Sequence, residues 1–178
     1  MKRIIGTIIA AAAALVIQSV SAEQVQAQAS SGGCTLEQIG GTARHLVRCR
    51  GGLSITTEQG AQYTLLDRTA TGSVDAVRLT GKALLIDLPE NVPSSGLEVV
   101  TPQAIAAVRG TQWAVDVEQD ATSVFVVRGA VAVSRRAGGA GVVLGPGEGV
   151  DVDESGAALE VRRWPAARVN ALMARFGR

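Results

Sequence analysis

The sequence predicts an all-β fold: a sandwich-like, β-solenoid-like twin stack of short strands, closed by an amphipathic C-terminal α-helix. Three observations predict it. Short runs rich in Val, Leu, Ile and Thr follow one another from residue 43 to residue 163, with turn residues between them. Two of those stretches echo each other. After Trp164 the apolar spacing changes from alternation to a helical stripe. Short strands at even spacing, with no helical pattern between them, fit a sandwich, barrel or solenoid and not βαβ units.

The strands are read at 45–48, 53–56, 62–66, 75–79, 83–88 and 97–100, then at 112–117, 123–128, 130–134, 141–144, 149–153 and 159–163. Each is short, rich in β-branched or aliphatic residues, and often alternating. Turn chemistry separates them: Arg50-Gly51-Gly52, Ala70-Thr71-Gly72-Ser73, Pro93-Ser94-Ser95-Gly96 and Gly145-Pro146-Gly147.

The echo joins Leu79-Thr80-Gly81-Lys82-Ala83-Leu84-Leu85-Ile86 to Val127-Arg128-Gly129-Ala130-Val131-Ala132-Val133-Ser134. After each comes a loop and a two-valine strand leading to a proline, Val99-Val100-Thr101-Pro102 and Val142-Val143-Leu144-Gly145-Pro146. The glycines are 48 residues apart and the prolines 44, so the duplication is degenerate. Stacked coils account for it, because each must bury its apolar face against the next.

The tail, 164–178, opens on Trp164-Pro165, with Pro where a helix accepts it best. Val169, Leu172, Met173 and Phe176 then fall at i, i+3, i+4 and i+7, and Arg168, Arg175 and Arg178 decorate the other faces. This helix is expected to cap the open end of the β-stack, where an unpaired edge would otherwise invite aggregation; docking onto a partner or a membrane is the alternative.

Residues 1–29 read as a secretory signal peptide. Lys2 and Arg3 precede an apolar run over 4–17, and cleavage options follow at Ala22 and at Ala29. That run spans only about 21 Å as a helix, against about 30 Å of bilayer hydrocarbon. No later stretch has the length and apolarity to cross, so no stable membrane insertion is expected after cleavage. The β domain then occupies 30–163.

Cleavage after Ala22 removes Lys2 and Arg3 from the seventeen basic side chains, leaving fifteen against sixteen acidic ones. A near-neutral domain has no basic field to collect nucleic acid, and aromatic residues make up only 3% of the chain, too few for a base-stacking surface. Nucleic acid is not expected as a partner. In an exported chain, Cys34 and Cys49 read as one disulfide closing a loop of fifteen residues.

Catalytic patterns are missing. The single His45 alternates with Leu46 and Val47 on a strand, and no nucleophile is paired with it. Two Cys and one His are too few for a zinc site. The run Asp151-Val152-Asp153-Glu154-Ser155-Gly156 imitates the start of a calcium loop, but Arg162 stands where the bidentate acid belongs. Gly145-Pro146-Gly147-Glu148-Gly149 lacks a following helix that would bind phosphate. No enzyme, metal or cofactor is expected.

The stretch Thr101-Pro102-Gln103-Ala104-Ile105-Ala106-Ala107-Val108-Arg109-Gly110-Thr111-Gln112-Trp113-Ala114-Val115 resembles the signature of the FecR domain, a TP-x-A element running into VRGT and a hydrophobic strand. Gly129 between two valine-rich runs is similar to the family's next segment, and Gly147-Glu148 to its close, so the likeness covers about 75–153. Within the motif, Pro102 is expected to end a strand, Gly110 to permit a sharp turn, and Arg109 and Thr111 to satisfy the carbonyls there. Thr101, Pro102, Ala104, Val108, Arg109, Gly110, Thr111, Gly129, Gly147 and Glu148 are thus structural candidates. The resemblance implies a periplasmic module that signals by protein contact with an envelope or membrane protein. An exposed apolar groove or strand edge around Trp113 or Trp164 is the candidate contact, with a core position the first reading of Trp113. The anti-sigma region and membrane helix of the best-known members have no counterpart in this sequence. A ligand- or glycan-binding module is the alternative, and a hydrolase a distant third.

Overall fold

The computed structural model describes residues 33–90 and 96–178; the expected leader and both cleavage options lie outside them. In chain order the strands are β1 (Cys34–Gln38), β2 (His45–Cys49), β3 (Ser54–Thr57), β4 (Gln62–Leu66), β5 (Ala76–Asp87) and β6 (Leu97–Val100). After them come β7 (Ala104–Glu118), β8 (Ala121–Arg135), β9 (Val142–Leu144), β10 (Glu148–Asp153) and β11 (Arg162–Arg163), and the helix α1 (Ala166–Arg175). All eleven strands belong to one hydrogen-bonded sheet. The all-β fold with a C-terminal helix is the one the sequence predicts.

Three long strands fold that sheet over on itself. β5, β7 and β8 each bend near a residue of positive φ: Lys82 at 68°, Gly110 at 57° and Gly129 at 85°. The ladder between β7 and β8 slips between Arg109 and Trp113, the mark of a bulge. Such a slip reverses which residues face inward. In β7, Ala104, Ala106 and Val108 face the core before the bend, and Trp113, Val115 and Val117 after it. β5 does the same with Val77 and Leu79, then Leu84 and Ile86; β8 with Val124 and Val126, then Val131 and Val133. Each strand changes layer while keeping its apolar side chains on one core.

Here the sequence reading needs correcting. It divides 75–88 and 123–134 into pairs of strands, because glycines and polar residues at 81–82 and 128–129 look like breaks. They are bends, and β5 and β8 run through them. β7 begins at Ala104 and not at 112, β1 was not anticipated, and the run at 159–163 pairs only at Arg162 and Arg163. The two echoed stretches are the ones that turn a corner at Gly81 and Gly129.

Two layers result. One, termed the helix layer, contains β1, β2, β3, β10 and β11 with the parts of β5, β7 and β8 at 82–87, 112–118 and 121–126. The other, the open layer, contains β4, β6 and β9 with 76–81, 104–109 and 130–135. Their inner faces enclose the core, where Ile55, Leu79, Leu84, Ile86, Trp113 and Leu144 are wholly buried. Each such aliphatic side chain stabilises the fold by about 1.5–3 kcal/mol. At one edge the expected disulfide joins Cys34 of β1 to Cys49 of β2, directly opposite in the ladder.

Candidate functional site

The family motif builds the connections between layers. Thr101 and Ala104 close the turn from β6 to β7: the Thr101 N–H donates to the Ala104 carbonyl at 2.9 Å, and its hydroxyl accepts from the Ala104 N–H at 2.8 Å. The Thr122 hydroxyl reaches Thr101 Oγ1 and Gln103 Oε1, each at 2.8 Å. Thr101, Gln103 and Thr122 are all buried, so this polar knot is satisfied internally. Pro102 sits exposed in the turn, where no ladder donor is needed. Ala104 and Val108 point into the core.

Gly110 and Gly129 meet at the corner. A Cβ on Gly129 would lie 2.6 Å from Thr111 Cγ2 and 2.8 Å from the Gly110 carbonyl oxygen, so only glycine fits there. Arg109 and Thr111 do not serve the corner's carbonyls as the sequence reading expects. Arg109 follows the inward Val108 and therefore points outward, opposite Ala130, making no ion pair among the described residues. The Thr111 hydroxyl is buried and has no protein partner among the described residues. At the motif's close, Glu148 Oε2 accepts from the Gly145 N–H at 2.7 Å, and the Gly147 N–H donates to the Val126 carbonyl at 2.8 Å.

Neither tryptophan forms an exposed contact surface, a second correction. Trp113 is wholly buried, since the bulge turns it into the core. Trp164 is 8% exposed because the chain's own helix returns it to the sheet. It stacks on Phe125 with ring centroids 5.0 Å apart, and Gly149 provides the slot: a Cβ there would lie 2.3 Å from Trp164 Nε1. The Trp164 N–H also donates to the Gly147 carbonyl at 3.1 Å, tying the tail to the motif's last turn.

α1 lies on the outer face of the helix layer and not over an open end of the stack, because its apolar stripe finds a platform on three neighbouring strands. Leu172 and Phe176 join Trp164 against Ala83, Leu85, Ala114 and Phe125, with Val169 and Met173 beside them. The stripe read from the sequence is the buried one. Acids rim this face and arginines of α1 meet them. Arg168 stacks on Trp164, 3.5 Å from the ring centroid, and donates to Asp151 Oδ2 at 2.9 Å. Arg175 is clamped between Asp116, whose Oδ1 lies at 2.8 Å, and Glu58, whose Oε2 lies at 2.6 Å. The hydrogen bond to Asp116 does most to raise the Arg175 pKa further, with burial opposing it and Glu58 adding to it. Burial alone would raise the Glu58 pKa; the Arg175 hydrogen bond and charge and the Ala83 N–H outweigh it and hold that carboxyl below its ordinary range. This clamp escaped the sequence reading, because Glu58 and Arg175 lie 117 residues apart with no pattern linking them. Gly149 did leave a signal, a glycine inside an alternating strand, which marks a close approach.

The opposite outer face, on the open layer, carries no helix among the described residues and is exposed at Ala107, Ala132 and Val143, while Ala76 is fully buried. One cross-strand row runs Leu66, Ala76, Glu98, Ala107, Ala132, Val143. Val143 is 68% exposed. A cleft of about 710 Å³ opens on this face, bordered by Arg68, Glu98 and Arg109. Elsewhere, the half-buried His45 donates its backbone N–H to Thr57 Oγ1 at 3.0 Å. Among the described residues, no three His, Cys, Asp or Glu side chains converge as a metal site would require, and no helix is long and apolar enough to cross a membrane.

The class is now defined: an all-β module made of one folded sheet whose signature residues build corners and turns. The sequence model of the FecR protein family matches residues 38–132, and this chain belongs to that family. The match starts further toward the N-terminus than the motif-based span and ends before Gly147 and Glu148. A 1.65 Å crystal structure of a candidate anti-sigma factor from Parabacteroides distasonis superposes with a TM-score of 0.56 at 16% identity, over 81% of this chain and 62% of that one. A 2.50 Å structure of the same description gives a TM-score of 0.49 at 18% identity over the same shares. This chain therefore spans less than two thirds of the solved protein, and likeness at that identity establishes the fold alone. No curated protein matches the sequence.

Proposed function

We propose that this chain is a non-catalytic signalling module of the FecR type, exported to the periplasm, which modulates an envelope partner by protein contact. The family match over 38–132 carries the reading. Three further observations support it. Residues 1–29 have the order of features of a cleaved leader. The Cys34–Cys49 disulfide suits an oxidising compartment. The polar side chains of the TP turn are engaged in holding that turn, which leaves sheet faces and edges for recognition. The regulatory assignment of the Parabacteroides protein, an anti-sigma factor candidate, points the same way. The solenoid-like description belongs with this reading, each half contributing a bent strand to one stack.

In-cell crosslinking of the tagged mature protein in its native envelope tests the proposal. One dominant envelope protein recovered at stoichiometric yield is the expected result. Recovery of no protein across growth conditions, together with a melting shift on a soluble glycan, would replace it with a ligand-binding function. Intact mass of the exported protein checks cleavage after Ala22 or Ala29.

A further inference from the structure

The two outer faces of the folded sheet are counterparts with opposite charge. On the helix layer an apolar centre of Ala83, Leu85, Ala114 and Phe125 is rimmed by Glu58, Asp116 and Asp151, and an arginine-bearing amphipathic helix covers it. On the open layer the corresponding centre contains the exposed Ala107, Ala132 and Val143 with the half-buried Val100 and Ile105 beside them, and no helix covers it among the described residues. Its rim is basic. Arg78 stands opposite Val100 and Arg109 opposite Ala130; both are exposed, and neither makes an ion pair among the described residues. The acids on this side are already engaged, because Arg68 bonds Glu98 at 2.8 Å and Asp75 at 3.3 Å.

We propose that the outer face of the open layer is the docking surface for an acidic amphipathic helix of the partner protein. This deepens the signalling-module reading and rests on it. Geometry and charge agree. The rows through Arg78, Ala107 and Arg109 extend about 14 Å along the strands, and the five strands from β5 to β9 extend about 19 Å across them. A helix of ten residues is about 15 Å long and about 10 Å wide, so one helix of the size of α1 fits on the face. An apolar stripe would lie on Ala107, Ala132 and Val143, and flanking acids would meet Arg78 and Arg109. A second copy does not supply such a helix: its residues 164–178 carry Arg168, Arg175 and Arg178 and no acid, and their apolar stripe is already buried. Opposed rim charges thus keep the chain's own helix on one face and reserve the other for a different sequence.

The test places the photocrosslinker benzoylphenylalanine at Ala132 or Val143 of the full chain in its native envelope, with Leu36 and Asn170 as control positions. The crosslinked peptide is then sequenced. The expected result is one acidic amphipathic segment of another protein, captured from Ala132 and Val143 and not from the controls. The double variant Arg78→Glu/Arg109→Glu, whose exposed substitutions leave the melting temperature unchanged, should lower that yield about tenfold through like-charge repulsion. A peptide from a second copy, or from residues 1–32 or 91–95 of this chain, would overturn the proposal. Capture from Leu36 or Asn170 alone would overturn the choice of face and leave the signalling reading standing. Capture from no position would overturn both.

Discussion

Replacing Gly149 by alanine should cost the protein nearly as much as removing Trp164. The added methyl would stand 2.3 Å from Trp164 Nε1, 2.4 Å from its Cε2 and 2.8 Å from the Val124 carbonyl oxygen. The Val124 carbonyl is fixed, because Val124 pairs with Val150 in the ladder between β8 and β10. The indole must therefore leave its slot. With it goes the stack on Phe125, worth about 0.5–1.5 kcal/mol, and the seat of Arg168, worth about 0.5–1 kcal/mol. Emptying a buried tryptophan site costs about 3–5 kcal/mol in total. Against this stands the lower backbone entropy of alanine in a strand, a gain of about 0.5–1 kcal/mol. The expected net loss is about 2–4 kcal/mol, a melting temperature lower by about 4–16 °C for a domain near this size. Urea denaturation followed by circular dichroism measures it for Gly149→Ala, for Trp164→Ala and for the double variant. The double variant should fall well short of the sum, because both substitutions remove the same contact. A Gly149→Ala protein within about 0.5 kcal/mol of the wild type, or strict additivity, would refute the claim that this glycine seats the helix.

The disulfide and the clamp give two more tests. Cys34→Ser/Cys49→Ser should lose about 3 kcal/mol, the loop-closure value for a fifteen-residue separation, read as a lower urea midpoint; an unchanged midpoint would mean that the β1–β2 hairpin is held by its ladder alone. The Glu58 pKa lies below its ordinary value of 4.5, so its contribution is complete above that pH and is lost as pH falls through the folded value. The melting temperature should therefore drop with acidification below about pH 4.5, and more shallowly in Arg175→Gln, where the pKa of Glu58 returns toward normal. Parallel curves for the two proteins would show that Arg175 does not hold the Glu58 charge.

What the sequence made legible follows its periodicities. Alternation over 62–66 and 97–100 gave β4 and β6 to the residue, because a half-buried strand exposes every second side chain. The stripe Val169, Leu172, Met173 and Phe176 gave both the helix and its buried face. The two cysteines gave the disulfide, since no other pairing exists for them. Corners were not legible. A glycine inside a β pattern signals a break or a bend equally well, and only the pairing of 82–87 with β7 shows that β5 continues. The bulge between Arg109 and Trp113 likewise reverses which side of the strand faces the core, and so sets Trp113 inward. The destination of α1 was hidden because its platform, Ala83, Leu85, Ala114 and Phe125, is drawn from three strands and contains two alanines that carry no pattern of their own.

The placement of the family signature has a consequence for specificity. Thr101, Gln103 and Thr122 bond one another in the interior, Gly110 and Gly129 fit a corner that admits no Cβ, and Glu148 closes a turn on Gly145. These residues fix where the strands bend, and the bends fix which residues face outward. Of the ten structural candidates in the signature, Arg109 alone stands on an outer sheet face, where the register places it beside Ala130. Two proteins sharing the signature would therefore share the folded sheet and still differ at positions such as Arg78, Ile105, Ala132 and Val143. Recognition on this fold is then written in outward residues that the signature leaves free. Exchanging those four side chains, with the corners untouched, should change which partner is bound and leave the melting temperature where it was; circular dichroism and crosslinking on the same variant measure the two outcomes independently.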